Sequence, residues 1–336
     1  MILRTLHVDL FREWRGGQNQ VLLLATELRS LGHVAEIVTL KGAPLAQRAR
    51  AARIPVHEVT GRIPAAVRLR QLRGFDIVHC HEAHALTAAW LAGVDFVVSR
   101  RVAYPVSKRR YSRAKRIVAI SHFVKESILA SGLPDRQIEV IYDGVAIPEA
   151  PAEGGDGLQL GCVGWLLPEK GQELILRAMP VVLARYPAAR LLLAGDGPSR
   201  RHLERLASEL AVSAAVRFLG MVDEVDTVYR SLDVFVFPSR AEPLGSSLLA
   251  AMSYGLPCVA IARGAVPEAI ENGKTGLLVD APEPAPFAAA ILQLLDDRSM
   301  AHRLGAAARE AAAGRFSVQR MAHATLELYR RVLARD

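Results

Sequence analysis

The chain has 336 residues, 51% hydrophobic and 23% charged, which excludes a disordered or low-complexity polymer and supplies enough apolar material for two cores of ordinary size. Its apolar runs, such as Val21–Ala25 and Leu191–Ala194, fall far short of the roughly 20 residues of a membrane span. The opening MILRTLHVDL lacks the basic, apolar and small-residue succession of a secretory signal, so a cytoplasmic protein is expected.

In chain order, β-branched runs alternate with helical spacing. Strands are predicted at Ile2–Val8, Val34–Leu40, Ile77–His79, Phe96–Ser99, Ile117–Ile120 and Ile138–Ile141, with helices between most of them. The segment AIPEAPAEGGD, residues 146–156, reads as a linker. Alternation then resumes with strands at Leu158–Val163, Arg190–Ala194, Val216–Leu219 and Val234–Phe237, and helices at Gln172–Tyr186, Ser199–Leu210 and Glu224–Ser231. From Phe287 the chain reads as Ala- and Leu-rich helix, and Ser317–Ala334 is amphipathic. Repeated βα units imply two parallel, doubly wound α/β domains, 1–147 and 148–316, with the terminal segment 317–336 packing back on the first.

The formal net charge of +8 is uneven. Residues 1–150 carry 22 Lys/Arg against 13 Asp/Glu, a net of +9, and the remainder about −1. Eight cations crowd one stretch: Arg100, Arg101, Lys108, Arg109, Arg110, Arg113, Lys115 and Arg116, with Tyr104 and Tyr111 interleaved. No nucleic-acid-binding module accompanies them. An anionic membrane surface or an acidic, lipid-linked substrate fits such a flank, as does a solvated face with no partner. Cys80, Cys162 and Cys258 lie in or beside apolar strands without metal or redox spacing and read as buried thiols.

Four places could carry chemistry. Gly16-Gly17 opens a helix after the first strand, where free amides suit an anion or a plain turn. His79, His81 and His84 crowd a predicted loop after a later strand, with Glu82 among them. His-x-His without a third ligand at helical spacing is a poor metal signature, and hydrogen bonding to a polar substrate or a core role fits better. Lys170-Gly171 enters a helix as a point cation beside free amides, which suits a phosphate, although the Walker order is missing. Lastly, Leu232–Val279 gives strand, polar loop and helix start, with Glu242 and Gly245-Ser246-Ser247 where ligands of open α/β sheets bind.

Taken together the motifs carry a resemblance. The glycine pair, H-x-H, YDGV at 142–145, V-G-x-L-x-x-x-K-G, AGDGP, F-L-G at 218–220, P-S-x-x-E-P-L-G and E-x-x-x-N-G-x-T-G-L-L-V occur in order over about residues 1–320. This set resembles the retaining GT-B glycosyltransferases of the large family that holds sucrose-phosphate-type synthases, lipid mannosyltransferases and lipopolysaccharide core transferases. The resemblance implies two facing Rossmann-like domains with an interdomain cleft. A nucleotide diphosphate sugar as donor substrate would bind mainly to the second, and a glycan or lipid-linked acceptor to the first, with no resident cofactor, no metal and no nucleic acid.

By the same resemblance Gly16 and Gly17 would bring amides to the diphosphate, His81 would lie beside the transferred sugar, and Lys170 would pair with the diphosphate. Glu242 would accept sugar hydroxyls, the amides of Leu244, Gly245 and Ser246 would hold the same sugar, and backbone near Gly195, Met221 and Val222 would hold the base. Arg100, Arg101, Lys108, Arg109 and Arg110 would face the acceptor or the inner membrane surface. Two positions depart from the family. Trp165 stands where a diphosphate-clamping arginine is usual, and Ala250 where a ribose-binding glutamate is usual. Arg263 or Arg240 would then substitute, or donor affinity would be low, or transfer would be lost, leaving a non-catalytic scaffold; a nucleotide-sugar epimerase shares the architecture.

Overall fold

A computed structural model describes residues 1–155 and 157–334. Asp156, at the end of the predicted linker, and residues 335 and 336 of the predicted terminal segment lie outside the described residues. The chain divides into two compact units, residues 1–144 with 316–336, and residues 145–315.

The first unit holds β1 (Arg4–Asp9), β2 (Val34–Leu40), β3 (Val56–Val59), β4 (Ile77–Cys80), β5 (Val97–Arg100), β6 (Arg116–Ala119) and β7 (Ile138–Val140). They pair in the order β3-β2-β1-β4-β5-β6-β7, all parallel. The second unit holds β8 (Gln159–Val163), β9 (Arg190–Ala194), β10 (Val216–Gly220), β11 (Val234–Phe237), β12 (Cys258–Ile261) and β13 (Leu277–Val279). Their order is β10-β9-β8-β11-β12-β13, again all parallel. Both are doubly wound Rossmann-like sheets whose strand order reverses once, beside β1 and β4 in one unit and beside β8 and β11 in the other. The crevice at a reversal is where such sheets take ligands.

The predicted strands are present, most displaced by a residue or two. Three strands are not among those predicted: β12 and β13, which lie inside the stretch Leu232–Val279, and β3, sequence VHEV. It is an edge strand with two polar residues, one of which, His57, pairs with Glu36 of β2 at 2.7 Å. The Ala- and Leu-rich tail is two helices, Pro284–Asp296 and Arg298–Arg315. They part at Asp297, whose carboxylate accepts from the Met300 amide at 2.8 Å and caps the second.

The helix Val318–Leu333 belongs to the first unit because its apolar stripe has a partner there. Met321, Ala322, Leu326, Leu328 and Tyr329 share a buried cluster with Leu24, Ala25 and Leu28 of the helix Gly16–Ser30. Each large side chain buried this way contributes roughly 1.5–3 kcal/mol. The first unit keeps its hold as far as Gly144, whose amide donates to Gln20 Oε1 at 2.9 Å and whose carbonyl accepts from Gln20 Nε2 at 2.8 Å. A Cβ on Gly144 would lie 2.7 Å from Val318 Cα, so only glycine lets the chain pass under the terminal helix. We expect Gln20→Met to strand a buried donor and acceptor and to destabilise the first unit by about 2–4 kcal/mol. Urea unfolding followed by the fluorescence of Trp14 and Trp90 checks this; an unchanged midpoint contradicts it.

Candidate active site

In the second unit, the apolar strand β11 stops at Pro238 and a polar loop runs to Gly245, which adopts φ +96° before the helix Ser246–Ser253. Within that loop Glu242 is 6% exposed. Its Oε2 accepts from Lys170 Nζ at 2.7 Å and from Ser239 Oγ at 3.0 Å, leaving Oε1 as an acceptor for a ligand hydroxyl. Three backbone contacts lock this geometry. Gly171, φ +71°, lies where a Cβ would be 2.3 Å from Pro238 O. The Arg240 amide donates to Glu169 O at 2.9 Å, and the Ala265 amide to Glu242 O at 2.8 Å. Lys170 is thus aimed by a turn that cannot move away from the loop carrying Glu242.

Arg240 and Arg263 flank the same loop with exposed side chains. Ser246, the first residue of the helix, is exposed, while the Leu244 side chain is core, so that only its backbone is available to a ligand. Trp165, Gly195, Met221 and Val222 come together around a cavity of about 120 Å³ at the carboxyl ends of β8, β9 and β10, completed by Val163, Gly164, Ala194 and Val225. Trp165 contributes an apolar wall there. Ala250 lies within the helix Ser246–Ser253 and offers no acceptor side chain.

In the first unit the histidines differ from the sequence expectation. His79 and His84 do not share a loop with His81: His79 sits inside β4, fully covered, and His84 is exposed at the start of the helix Ala83–Ala92. The third ring is His7 of β1, which the parallel register sets beside His79. His79 donates to or accepts from Tyr329 Oη at 2.6 Å and Ser99 Oγ at 2.8 Å. His81, 3% exposed, stacks on His79 at 4.2 Å between ring centres and bonds His7 Nδ1 through Nε2 at 3.0 Å. Glu82 caps its helix, accepting from the amides of His84, Ala85 and Leu10. Among the described residues, His7, His79 and His81 bring ligand atoms within 4.8 Å of one another, the set with metal-holding spacing.

Arg101 also departs from expectation. It is not part of an exposed basic face: its Nε donates to both Asp143 oxygens at 3.0 and 3.1 Å, and its Nη1 to His81 Nδ1 at 3.4 Å. Gly17 covers it, with a Cβ position 3.7 Å from Arg101 Cδ. Gly17, His81 and Arg101 therefore form one group at the reversal of the first sheet, with Gly16 one residue before Gly17 and exposed. The run of cations in the sequence hid this, because the partner carboxylate lies 42 residues further on. Arg100, half-buried, donates to Tyr104 O at 3.1 Å. What remains exposed is Lys108, Arg109, Arg110 and Arg113, with Tyr104 70% exposed beside them. Arg109 and Arg113 lie 6.0 Å from the Trp90 ring, and Arg110 donates to Thr87 Oγ1 at 3.1 Å.

Asp9, at the carboxyl end of β1, is held by Gln18 Nε2 at 3.1 and 3.0 Å and by the Phe11 amide at 3.0 Å. Burial, and next the negative Glu82, push its carboxyl up from 3.8 to about 6. Between these values the folded chain binds more protons at this position than the unfolded one, so the contribution of Asp9 to stability falls as pH rises through the window. Asp9→Asn should therefore gain stability relative to the parent chain between pH 3.8 and about 6 and hold a constant difference above it. Melting temperatures of both proteins measured across that range check this; a pH-independent difference contradicts it.

Comparison with known proteins decides the family. Residues 146–311 match Glycosyl transferases group 1, and residues 14–147 match Glycosyltransferase Family 4. Over 240 residues the chain is 32% identical to the lipopolysaccharide core biosynthesis glycosyltransferase LpsE of Rhizobium meliloti, with 69% of each chain covered. The chain belongs to the group 1 glycosyl transferases. It is also 32% identical over 230 residues to a GDP-mannose-dependent phosphatidylinositol monomannoside mannosyltransferase of Mycobacterium tuberculosis, spanning 60% of that relative's length and 62% of its own. Two solved structures share the GT-B fold of this family member. Anabaena HepE, in complex with UDP and glucose, superposes with a TM-score of 0.84 at 19% identity, covering 97% of this chain and 99% of its own. The sucrose-phosphate synthase of Thermosynechococcus elongatus gives 0.80 at 20% identity, covering 99% and 100%.

Proposed function

We propose that this chain is a retaining glycosyltransferase that moves a hexose-like sugar from a nucleotide diphosphate sugar to a lipid-linked or lipopolysaccharide-type glycan. The observation that carries the reading is the Glu242, Lys170 and Ser239 cluster at the sheet reversal of the second unit. When the glycosidic bond to the diphosphate breaks, negative charge grows on the leaving phosphate. Fixed cations and amides aimed there lower the barrier because they need no reorganisation. Lys170 and the amides opening the helix Ser246–Ser253 supply that role, and Glu242 Oε1 orients the sugar by its hydroxyls. The departing phosphate takes the acceptor proton, so no side chain need act as nucleophile. Arg240 and Arg263, tethered to the same loop, stand in for the cation that Trp165 does not provide, while Trp165 lines an apolar cavity suited to a base. The named relatives, one a GDP-mannose-dependent mannosyltransferase and one a lipopolysaccharide core glycosyltransferase, favour a glycolipid acceptor.

Lys170→Ala and Glu242→Ala should each lower kcat/KM by about 10²-fold or more, measured with a panel of nucleotide sugars and a glycolipid acceptor. Near-parental turnover in both contradicts the assignment, and conversion of the donor without acceptor would identify an epimerase instead.

The exposed cations of the first unit suit an anionic membrane that carries the acceptor, at about 1 kcal/mol each. Changing Arg109, Arg110 and Arg113 to Ser should weaken sedimentation with anionic liposomes by roughly two orders of magnitude. Unchanged sedimentation would remove the membrane from the account. No helix among the described residues is long and apolar enough to cross a bilayer.

A further inference from the structure

We infer that Arg101 and His7 are positioning residues that hold His81 as a neutral imidazole with its proton on Nε2. The inference rests on the proposed function only for the sugar that His81 would meet. The direction of every bond in the chain follows from donor chemistry. A guanidinium can only donate, so His81 Nδ1, 3.4 Å from Arg101 Nη1, must be a bare acceptor. The single proton of neutral His81 is then on Nε2 and donates to His7 Nδ1 at 3.0 Å. His7 in turn carries its proton on Nε2 and donates to Thr5 Oγ1 at 3.1 Å. The hydroxyl of Thr5 passes the last bond to the Val34 carbonyl at 3.0 Å. No link can be reversed while Arg101 stays in place. Two features keep Arg101 there: its paired bonds to Asp143, which also offset its charge, and Gly17 packed over its stem.

The consequence is electrostatic. Sugar transfer of this kind builds positive charge on the sugar ring, and an imidazolium beside it would raise the barrier. Burial, then His79 and Arg101, hold His81 well below the usual histidine range, which agrees with the bonding pattern. The same bonds argue against a metal on the three rings. His7 and His81 spend facing nitrogens on each other, both nitrogens of His79 are engaged by Tyr329 and Ser99, and a guanidinium occupies the remaining approach to His81.

The test is a two-bond ¹H–¹⁵N correlation spectrum of the imidazole rings in the full-length ¹⁵N-labelled protein, with the His81 signals assigned by their loss in His81→Asn. The parent should show His81 as the Nε2–H tautomer at pH 7. Arg101→Met and His7→Phe should each give a mixture of tautomers. His7→Asn, whose Oδ1 accepts in place of Nδ1, should restore the parent pattern. In transfer assays His7→Phe should lower kcat by between about tenfold and 10²-fold at nearly constant donor KM, with at least a tenth of the parent kcat recovered in His7→Asn. Thr5→Val, a smaller change, gives a milder shift of the same kind should His7→Phe fail to fold. A parent His81 protonated on Nδ1 or on both nitrogens, an unaltered tautomer in both Arg101→Met and His7→Phe, or tight zinc binding that His81→Asn abolishes would each overturn the inference. A correct tautomer in a protein without transfer activity would instead overturn the functional reading and leave the hydrogen-bonded chain standing.

Discussion

A parallel sheet sends the carboxyl end of every strand to one edge, and that constraint decides where this chain can place its polar residues. Strands buried on both faces are mainly apolar, so charge accumulates in the loops that leave them, and the polar residues that stay inside β1 and β4, Thr5, His7 and His79, are hydrogen-bonded. Where the strand order reverses, neighbouring loops turn away to opposite faces and leave a crevice. Asp9, His81 and the Gly16-Gly17 turn gather at the reversal of the first sheet, and Trp165, Lys170 and Glu242 at that of the second.

The two sets solve burial differently. In the second unit a carboxylate is covered together with a cation, which retains charge for a ligand to use; breaking such a pair leaves an uncompensated group and costs more than the pair contributes. In the first unit three stacked histidine rings spend their nitrogens on hydrogen bonds, His7 with His81 and His79 with Tyr329 and Ser99, and one guanidinium is answered by Asp143.

The apolar periods made the fold legible. Val34–Leu40, Arg190–Ala194 and Val234–Phe237 are mainly apolar runs whose ends coincide with the strands, whereas β3 is half polar and its strand character comes from pairing with β2. The candidate site was legible where its residues are close in sequence or carry a spacing. Ser239, Glu242 and Gly245 lie in one loop, and Lys170-Gly171 marks a helix entry. Pairings across the sheet left no such trace: His7 meets His81 across 74 residues and Arg101 meets Asp143 across 42. A run of cations looks the same in one dimension whether each member faces solvent or, like Arg101, turns inward to a carboxylate.

The central claim is that the Lys170 and Glu242 cluster receives a nucleotide diphosphate. Calorimetric titration of the full chain with UDP, GDP and ADP measures this directly. The account predicts that one of the three binds, and that Lys170→Ala weakens that binding by at least tenfold, the loss of one charge-assisted contact. Absence of binding by all three nucleotides, or equal affinity in the parent and Lys170→Ala proteins, would contradict it.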